Sequence, residues 1–448
     1  MRYIAADFGA GSGRIIVGSV LPEGIQLDEV HRFPNRQIRL GGTVYWDFLS
    51  LFQELKTGLK KAFAKYDAIV SIGVDTWGVD FGLIDHQGHL LSNPVCYRDS
   101  RTNGILEKAF RKIPKNEFYA LTGNQFMEIN TAFQLYSMVL QDDPILKIAD
   151  KLLFTPDLFN YFLTGVAANE YTISSTSQLF HHAGQSWARE IFERLGIPLH
   201  LMQKIVPSGT VIGELLPEIV AEVGGAGVKV VAVGSHDTAS ALASIEPEND
   251  NWAFISSGTW SLMGIETEKP ILTPEAMECD FTNEGTVNGH IRFLRNITGL
   301  WLLQNLMKEW EEAGEKCSYT DLIAAAEQCH LASIIDVDDP CFNKPENMGQ
   351  AICRYCTEKG MEPPKTKGEF MRCVVLSLAT KYAEVKKLLE KCSGRKIETI
   401  YMVGGGSQNQ LLNRLTAELT GAQVVCKAVE ATAIGNIKVQ QNSTLINQ

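Results

Sequence analysis

The sequence predicts an α/β protein of two domains, and three observations support this prediction. The chain has 448 residues, which is more than one ordinary hydrophobic core organises. A pattern of strand, small-residue turn and strand occurs twice, as YIAADFGAGSGRIIVG and as WAFISSGTWSLMGIE. Between the two copies, the polar segment 246–251 (EPENDN) is the strongest boundary signal. We therefore predict domains of residues 1–247 and 248–448.

The composition argues against nucleic-acid and membrane binding. The formal net charge is −11, whereas a nucleic-acid surface needs clustered Lys and Arg. A nucleotide remains a possible ligand, because backbone N–H groups and one metal ion can neutralise phosphates locally. No apolar run reaches the roughly 18 residues of a membrane span, and the opening MRYIAADFGAGSGR has no features of an export signal. We expect a cytoplasmic protein.

The ten cysteines are scattered along the chain. Without an export signal we expect reduced thiols, many of them buried as small hydrophobic residues. Cys353 and Cys356 form a C-x-x-C, but no second pair stands at a zinc-finger spacing, so a metal or redox role is the less favoured interpretation. A disulfide between Cys353 and Cys373 is an alternative that the sequence does not support by itself.

The first domain begins as a β-meander. Strands are predicted at Tyr3–Asp7, Arg14–Val20 and Ile25–Phe33. The turn between the first two, FGAGSG, consists of residues that tolerate tight backbone geometry. Apolar residues at helical spacing follow at Phe48–Tyr66, and the continuous apolar run AIVSIGVD, which ends at Asp75, is typical of a buried parallel strand.

Helices and strands alternate along the rest of the chain. VDFGLIDHQGHLL has a hairpin pattern, helical spacing dominates the middle of the chain, and VKVVAVGSHDTASALAS indicates strand, polar turn and helix. In the second domain, helices are predicted at Gly299–Glu311 and Glu369–Lys391. ETIYMVGGGSQNQLLNRLTAEL then indicates a strand, a triple-glycine turn and a helix.

Two Gly-rich turns are candidates for phosphate binding. In DFGAGSGR, Asp7 to Arg14, small residues leave backbone N–H groups unobstructed, and Asp7 could hold the Mg²⁺ that accompanies phosphates. This is neither a Walker A loop nor a dinucleotide fingerprint, because Lys is missing and a strand follows. SSGTWS, Ser256 to Ser261, occupies the same place in the second domain. Either turn alone could be an ordinary hairpin turn, but the pair favours a phosphate clamp.

Asp237 in GSHDTAS lies at a predicted strand-to-helix turn. A carboxylate at such a turn can be the base that activates a hydroxyl in phosphoryl transfer, while the helix N–H groups bind an oxyanion. The alternative is a simple helix N-cap, formed by Ser235 or by Asp237 itself. We interpret His236 as a positioning or packing residue rather than a second base.

VDTWGVDF follows a predicted buried strand and supplies Asp75, Trp77 and Asp80. These types suit recognition of a polyol, because an aromatic face meets C–H groups and carboxylates accept hydroxyls. These residue types suit turn and core positions equally well, and the sequence does not decide between this interpretation and sugar recognition. The charged residues of CYRDSRT, Cys96 to Thr102, are expected to form an ion-pair network that shapes the site.

Polar and small residues of the second domain complete the candidate site. The three glycines of MVGGGSQN, Met402 to Asn409, leave a flat backbone face for adenine or ribose, or else form a plain helix entry. Asn296 and Gln304 bracket the start of an amphipathic helix and are plausible polar contacts, whereas Trp301 is more typical of core. The pattern predicts a nucleotide cleft between two α/β domains and an ATP-dependent kinase for a small sugar.

Taken in order, these motifs resemble the FGGY family of carbohydrate kinases, which share the actin-like, ribonuclease-H-like ATPase fold. The strings DTWGVDF, YRDSRTNG and SGTWSLMG are specific beyond that fold and are similar to those of members that phosphorylate L-rhamnulose. The strings that carry the resemblance are DFGAGSGR, HRFPN, VYWD, SIGVDTWGVDFGLID, YRDSRTNG, EYTISSTSQL, VGSHDTASA, FISSGTWSLMGIE, FTNEG, RNITGLWLLQ and YMVGGGSQNQLLN.

The resemblance implies transfer of the ATP γ-phosphate to the 1-hydroxyl of L-rhamnulose, with Mg²⁺, in L-rhamnose catabolism. Carried over by position, Asp237 is the proton acceptor. The implied sugar-binding residues are Gly78, His236, Asp237, Thr238 and Asn296. The implied ATP-binding residues are Ala10, Gly11, Ser12, Gly13, Arg14, Thr259, Gln304 and Gly405, and the candidate metal ligands are Asp7 and Asp237.

Two features depart from the family pattern. Members usually continue past the GNI segment through further helix and tail, whereas this sequence ends in NIKVQQNSTLINQ, and Lys438 stands where a small residue is usual. We therefore expect the closing layer of the second domain to be missing or remodelled.

Two other functions fit the same motifs. One is a kinase for another ketose or polyol such as L-fuculose, which turnover of a panel of sugars separates from the first. The other, from a different class, is a non-catalytic actin-like nucleotide switch, which would tolerate the loss of Asp237.

Overall fold

A computed structural model describes residues 1–343, 345–427 and 430–446. The strands are β1 (Arg2–Phe8), β2 (Ser12–Leu21), β3 (Gly24–Pro34), β4 (Gln37–Leu40), β5 (Thr43–Trp46), β6 (Ile69–Thr76), β7 (Phe81–Ile84), β8 (Lys151–Phe154), β9 (Asn169–Glu170), β10 (Phe180–His181), β11 (Ser186–Trp187), β12 (Ile205–Val206), β13 (Val211–Glu214), β14 (Lys229–Val231), β15 (Trp252–Ser257), β16 (Trp260–Thr267), β17 (Thr282–Gly285), β18 (Ile291–Thr298), β19 (Thr399–Val403) and β20 (Gln423–Cys426).

The helices are α1 (Phe48–Lys65), α2 (Ile105–Phe110), α3 (Lys115–Thr122), α4 (Thr131–Leu140), α5 (Ile145–Ile148), α6 (Thr155–Thr164), α7 (Tyr171–Ser174), α8 (Arg189–Leu195), α9 (Pro217–Val223), α10 (Asp237–Ala243), α11 (Pro274–Glu278), α12 (Trp301–Glu312), α13 (Tyr319–Glu327), α14 (Met348–Glu358), α15 (Lys367–Ser393), α16 (Gln410–Thr420) and α17 (Ala431–Ile446). Across the described ranges, no helix is both long and apolar enough to cross a membrane.

The chain divides into two compact units. The first comprises Met1–Glu246, Thr267–Arg292 and Glu430–Gln448, and the second comprises Pro247–Glu266 and Phe293–Val429. The predicted two-domain α/β fold is confirmed. The division differs from the predicted domain boundary, because two segments that follow residue 247 pack with the first unit.

The first unit is built on a six-stranded sheet of order β13-β14-β6-β1-β2-β3. The predicted meander is confirmed, since β1, β2 and β3 pair antiparallel in sequence. β6 runs parallel to β1 and β14 runs parallel to β6. The register sets Asp7 opposite Asp75, and Thr76 forms a bridge with His236 beyond the end of β14. The carboxyl ends of three neighbouring strands therefore meet at one edge.

Helix α1 covers one face of this sheet. Leu51, Leu55 and Leu59 recur at a spacing of four residues, so they form one buried stripe. They belong to a core cluster that includes residues of β1, β2 and β6. The helix begins where the Asp47 side chain accepts a hydrogen bond from the N–H of Ser50, which satisfies one free donor of the first turn.

Helix α17 packs on β1 and β2 of the same sheet and forms a second hydrophobic cluster with them. Its Ala433 and Ile437 pack with Tyr3, Ala5 and Ile16 of β1 and β2. A Cβ at Gly435 would lie 1.7 Å from the carbonyl oxygen of Ser240 in α10, so only glycine permits this approach of the two helices.

Polar residues of α17 complete its attachment. Asn436 donates to the Gly73 carbonyl at 3.1 Å, and Gln440 donates to the Ile4 carbonyl at 2.9 Å. Lys438 lies on the outer side and pairs with Glu246 at 2.6 Å, which accounts for a long cation at this position. The terminal helix therefore forms a layer of the first unit, and the expected change in the closing layer of the second domain stays a prediction.

The second unit contains strands in the order β18-β16-β15-β19-β20. β15 and β16 pair antiparallel around the Ser257–Trp260 turn, as the repeated pattern predicts, while β19 and β20 run parallel to β15. Helix α15 begins with a capping box between Thr366 and Glu369, two residues before the predicted start. The cysteines of both units are free thiols.

The close packing at Gly435 yields a stability prediction. We expect Gly435→Ala to lower the free energy of unfolding by about 1–3 kcal/mol, the usual cost of overpacking, because the methyl group meets backbone rather than a movable side chain. Gly349→Ala is the matched control, since its Cβ would meet no atom closer than 3.5 Å. Urea unfolding followed by circular dichroism measures both, and equal stability of Gly435→Ala and the natural protein would contradict the packing argument.

Candidate active site

Three carboxylates meet at the carboxyl edge of the first unit's sheet. Asp7 lies near the end of β1, Asp75 near the end of β6, and Asp237 is the first residue of α10, just beyond β14. Pairing of β1 with β6 sets the first two opposite each other. The N–H of Thr76 donates to the carbonyl of Ser235 at 2.9 Å, which holds the Asp237 turn beside them. The edge of a parallel sheet is where α/β proteins commonly bind ligands.

These carboxylates carry more negative charge than their protein partners compensate. Arg14 bonds to Asp7 at 2.5 Å and also pairs with Glu430. Asp75 is fully buried, and its pKa is well above the ordinary value, first because of burial and then because of the charge of Asp7. A hydrogen bond of 2.6 Å from Asn436 to Asp75 opposes this shift. The site therefore favours an added cation or a retained proton.

Asp237 is accessible as well as electrostatically perturbed. Its side chain is 35% exposed, although protein surrounds most of the carboxylate. Burial raises its pKa, the neighbouring His236 opposes the shift, and the charge of Asp7 adds to it. Thr238 donates to Oδ1 at 3.1 Å. A carboxylate of this kind is a better proton acceptor than a fully solvated one.

The Ala10–Arg14 turn is held in place from the next strand. Gly9 N–H donates across the turn to the Ser12 carbonyl at 2.9 Å. Asn35 donates two hydrogen bonds to the turn, one from its side chain to the Gly9 carbonyl at 2.9 Å and one from its backbone N–H to the Gly11 carbonyl at 3.1 Å. Gly11 has open space around it, whereas a Cβ at Gly13 would strike Phe33. Sequence reasoning missed Asn35 as a positioning residue, although HRFPN contains it.

His236 joins the predicted sugar-side residues. Its Nε2 lies 3.5 Å from Asp237 Oδ1, and a Cβ at Gly78 would lie 3.4 Å from the same Nε2. The structure thus brings together Gly78, His236, Asp237 and Thr238. It also adds Arg292, which sequence reasoning missed and whose Nη2 lies 3.0 Å from His236 Nδ1.

Trp77 and Asp80 belong to the core rather than to an open site. Trp77 is 5% exposed. Asp80 is fully buried and accepts hydrogen bonds from Trp46 at 2.5 Å, Trp77 at 3.0 Å, Gln134 at 3.0 Å and the N–H of Tyr97 at 3.2 Å. The sequence left sugar recognition and a core role as alternative interpretations, and the core role applies to Trp77 and Asp80.

The polar segment after residue 96 also serves the local structure. Asp99 accepts from the N–H groups of Val44 and Arg101, each through one carboxylate oxygen, at 2.8 and 2.9 Å. Arg101 donates to the Gln134 side chain at 2.6 Å. These hydrogen bonds connect the segment to the surroundings of Asp80 in the core, and the expected ion-pair network around the site stays a prediction.

In the second unit, Thr259 and Gln304 contact each other. Thr259 Oγ1 donates to Gln304 Oε1 at 3.1 Å, and the Thr259 carbonyl accepts from Gly299 and Trp301 N–H groups at 3.1 and 3.2 Å. A turn between strands is thereby fixed to the start of α12. Asn296 lies near the end of β18 and is half-buried.

The glycines after β19 divide into packed and open positions. A Cβ at Gly404 would lie 2.7 Å from the Ser257 carbonyl, and one at Gly406 would lie 2.0 Å from the Ser257 hydroxyl. Gly405 has no atom within 4 Å of the corresponding position. The turn is thus packed against the end of β15 while Gly405 leaves a bare backbone surface.

A direct protein cage for a metal is not seen in the described residues. They include no group of three or more His, Cys, Asp or Glu side chains placed to hold a metal ion. Asp75 Oδ1 is nevertheless buried without a hydrogen-bond partner in this part of the chain. Mg²⁺ is commonly held by one or two carboxylates together with waters and substrate phosphates, and the carboxylate edge fits that mode.

Comparison with known families identifies the class of protein as a sugar kinase. The N-terminal domain of the FGGY family of carbohydrate kinases matches residues 2–243, and the C-terminal domain of that family matches residues 253–442. The chain belongs to the FGGY family of carbohydrate kinases, which confirms the resemblance drawn from its motifs.

Two relatives that are similar over nearly the whole chain are both named rhamnulokinase. The chain is 43% identical over 440 residues to the rhamnulokinase of Bacteroides thetaiotaomicron, and the aligned region covers 98% of this chain and 90% of that relative. It is 40% identical over 437 residues to the rhamnulokinase of Oceanobacillus iheyensis, covering 98% and 92%. In fold it is similar to gluconate kinase from Lactobacillus acidophilus, with a TM-score of 0.82, 15% identity and coverage of 100% and 90%.

Burial of Asp80 gives a pH prediction. Burial raises its pKa from 3.8 to about 6, although four hydrogen bonds, the first from Trp46, oppose the shift. The folded state therefore binds this proton more tightly than the unfolded chain, and stability falls as pH rises from about 4 to 6. We expect Asp80→Asn to remove this loss, so that its stability relative to the natural protein increases by about 3 kcal/mol between pH 4 and pH 7.

Urea unfolding at several pH values in this range tests the prediction. Asp67→Asn is the control, because Asp67 is exposed and its removal should leave the pH profile unchanged. Parallel profiles for Asp80→Asn and the natural protein would contradict the assigned shift.

Proposed function

We propose that this protein transfers the γ-phosphate of ATP to the 1-hydroxyl of L-rhamnulose, giving L-rhamnulose 1-phosphate and ADP. The observation that carries the proposal is the partly exposed carboxylate of Asp237 at the start of α10, beside the space that Gly78 leaves next to His236. The relatives named rhamnulokinase, similar over nearly the whole chain, support L-rhamnulose as the sugar.

Asp237 is the proposed catalytic base. Phosphoryl transfer needs positioning, charge stabilisation and one acceptor for the proton of the attacking hydroxyl. Thr238 and His236 both approach Oδ1 of Asp237, which leaves Oδ2 to receive that proton. Its raised pKa favours proton uptake as the hydroxyl attacks.

The remaining sugar contacts are proposed from the same unit and from Asn296. Because Gly78 has no side chain, a sugar hydroxyl can approach His236 Nε2, which would donate to it. Thr238 is 3% exposed, so its role is to hold Asp237 as well as to border the sugar. Asn296 supplies a further polar contact in this proposal.

The nucleotide is proposed to bind through backbone-rich turns. The Ala10–Arg14 turn is anchored by Asn35 and offers unobstructed N–H groups for phosphate oxygens. Thr259 and Gln304 form a hydrogen-bonded pair that can bind phosphate or ribose oxygens. Gly405 offers the bare backbone surface on which the adenosine part can lie.

Mg²⁺ is the proposed metal, with Asp7 and Asp237 as the residues that would hold it, directly or through water. The unpartnered Asp75 oxygen and the negative charge that Arg14 only partly compensates fit a divalent cation. When bound, the ion supplies neutralisation of phosphate charge during transfer.

A coupled assay of ADP release tests the function. We expect ATP-dependent turnover with L-rhamnulose, and lower kcat/KM with L-fuculose, L-ribulose, D-xylulose and glycerol. Mass spectrometry of the product identifies the monophosphate and its position. Absence of turnover with L-rhamnulose would refute the proposal, turnover of another sugar alone would identify a kinase for that sugar, and ATP binding without any turnover would favour a nucleotide switch.

Asp237→Asn tests the assignment of the base. The substitution keeps the size of the side chain and removes its proton affinity, so we expect kcat to fall by about 10²–10⁴-fold, while ATP affinity measured by calorimetry changes little. Asp67→Asn removes an exposed carboxylate of the same unit and should keep full activity. Unchanged turnover in Asp237→Asn would refute the assignment.

A further inference from the structure

Behind His236 lies a buried guanidinium that none of the proposed steps uses. The Arg292 side chain is completely buried. Its Nη2 lies 2.9 Å from Glu284 Oε2 and 3.0 Å from His236 Nδ1. On the other side of the imidazole ring, Nε2 lies 3.5 Å from Asp237 Oδ1. A continuous polar chain therefore runs from Arg292 through His236 to the proposed base.

Two atoms of Arg292 make this burial costly. Its Nε and Nη1 are buried and have no hydrogen-bond partner in the described part of the chain. A buried guanidinium with unpaired donors is unfavourable for stability. Glu284 offsets the charge, since its carboxylate is 6% exposed and adjacent. An apolar side chain would serve packing alone better, so the retained Nη2 contact points to a role in the site.

The chemistry of the contact determines the state of the ring. His236 Nδ1 lies 3.0 Å from Arg292 Nη2 and 3.4 Å from Glu284 Oε2, so the contact with Arg292 is the shorter one. A guanidinium has only donors and keeps its proton, and Nδ1 is therefore the acceptor in this contact. In the neutral ring the proton then resides on Nε2. That N–H is the one directed to Asp237 and to the space above Gly78.

We infer that Arg292, charge-balanced by Glu284, is a positioning residue that locks His236 as the Nε2–H tautomer and thereby presents a neutral donor to Asp237 and the sugar. The role in phosphoryl transfer rests on the proposed function, whereas the tautomer itself does not. With the opposite tautomer, an Nε2 lone pair would face the Asp237 carboxylate, which is repulsive and offers the sugar no donor.

Removing Arg292 should reverse the tautomer. In Arg292→Met the Glu284 carboxylate loses its cation, and His236 Nδ1 remains 3.4 Å from its Oε2 as a group that can donate to it. We expect the ring to place its proton on Nδ1 in this variant. In Glu284→Gln, the Arg292 contact remains, so the Nε2–H tautomer should be retained.

The experiment is ¹⁵N NMR of protein labelled only at histidine, with the His236 signals assigned by His236→Gln. The natural protein and Glu284→Gln should show a protonated Nε2 and an unprotonated Nδ1, and Arg292→Met should show the reverse. His182 is the internal control, because its Nε2 lies 3.0 Å from the Asn283 carbonyl and should stay protonated in all samples.

Kinetics connect the tautomer to catalysis. We expect kcat of Arg292→Met to fall by about 10–100-fold, the range known for removal of the partners that orient metal-bound histidines, and Glu284→Gln to lose much less. Should Arg292→Met not fold, Arg292→Met/Glu284→Met removes both charges together, and its ring should then lose the uniform Nε2–H signal.

The outcomes separate the inference from the function. An Nε2–H signal unchanged without Arg292, or an Nδ1–H tautomer in the natural protein, would overturn the inference whatever the enzyme phosphorylates. A reversed tautomer with undiminished kcat would overturn its catalytic part. Loss of the proposed function would show instead as no turnover by the natural protein with its tautomer intact.

Discussion

The pairing of β1 with β6 is the constraint on which the first unit's site depends. It sets Asp7 opposite Asp75, so two carboxylates share one edge and one of them is fully buried. Such burial is unfavourable unless the charge is hydrogen-bonded or neutralised. Asn436, 361 positions further along the chain, donates a hydrogen bond of 2.6 Å to the Asp75 carboxylate. Its helix reaches the sheet because Gly435 permits contact with α10, so the terminal helix supports the site as well as the core.

The residues around Asp237 differ in which atoms of His236 and of the Asp237 carboxylate they contact and which they leave accessible. Glycine at position 78 keeps a side chain away from His236 Nε2, and Arg292 occupies Nδ1. The ring can therefore act only through Nε2. Thr238 holds the carboxylate from Oδ1. These contacts fix the orientation of the groups around the carboxylate, and positioning is one of the two means, with charge stabilisation, by which proteins promote phosphoryl transfer.

Local patterns were sufficient to predict most strands, the two small-residue turns and the segments that carry Asp7, Asp237 and Gly405. Those features depend on neighbours in sequence, such as the pairing of Phe8 with Gly13 across the first turn. The sequence could not decide whether Asp80 binds a sugar or serves the core, because its donors come from three other parts of the chain. The same non-locality concealed the contact of Arg292 with His236 and the placement of α17 on the first unit.

The triple glycine after β19 shows why composition alone cannot assign roles to neighbouring residues. Gly404 has a φ of 81° and, like Gly406, lies against Ser257, so a side chain at either position would displace backbone or a buried hydroxyl. Gly405 has neither restriction of space nor a contact within 4 Å. Two of the three glycines are therefore explained by packing. The third has no packing requirement, and its lack of a side chain becomes intelligible if a flat ligand covers that backbone.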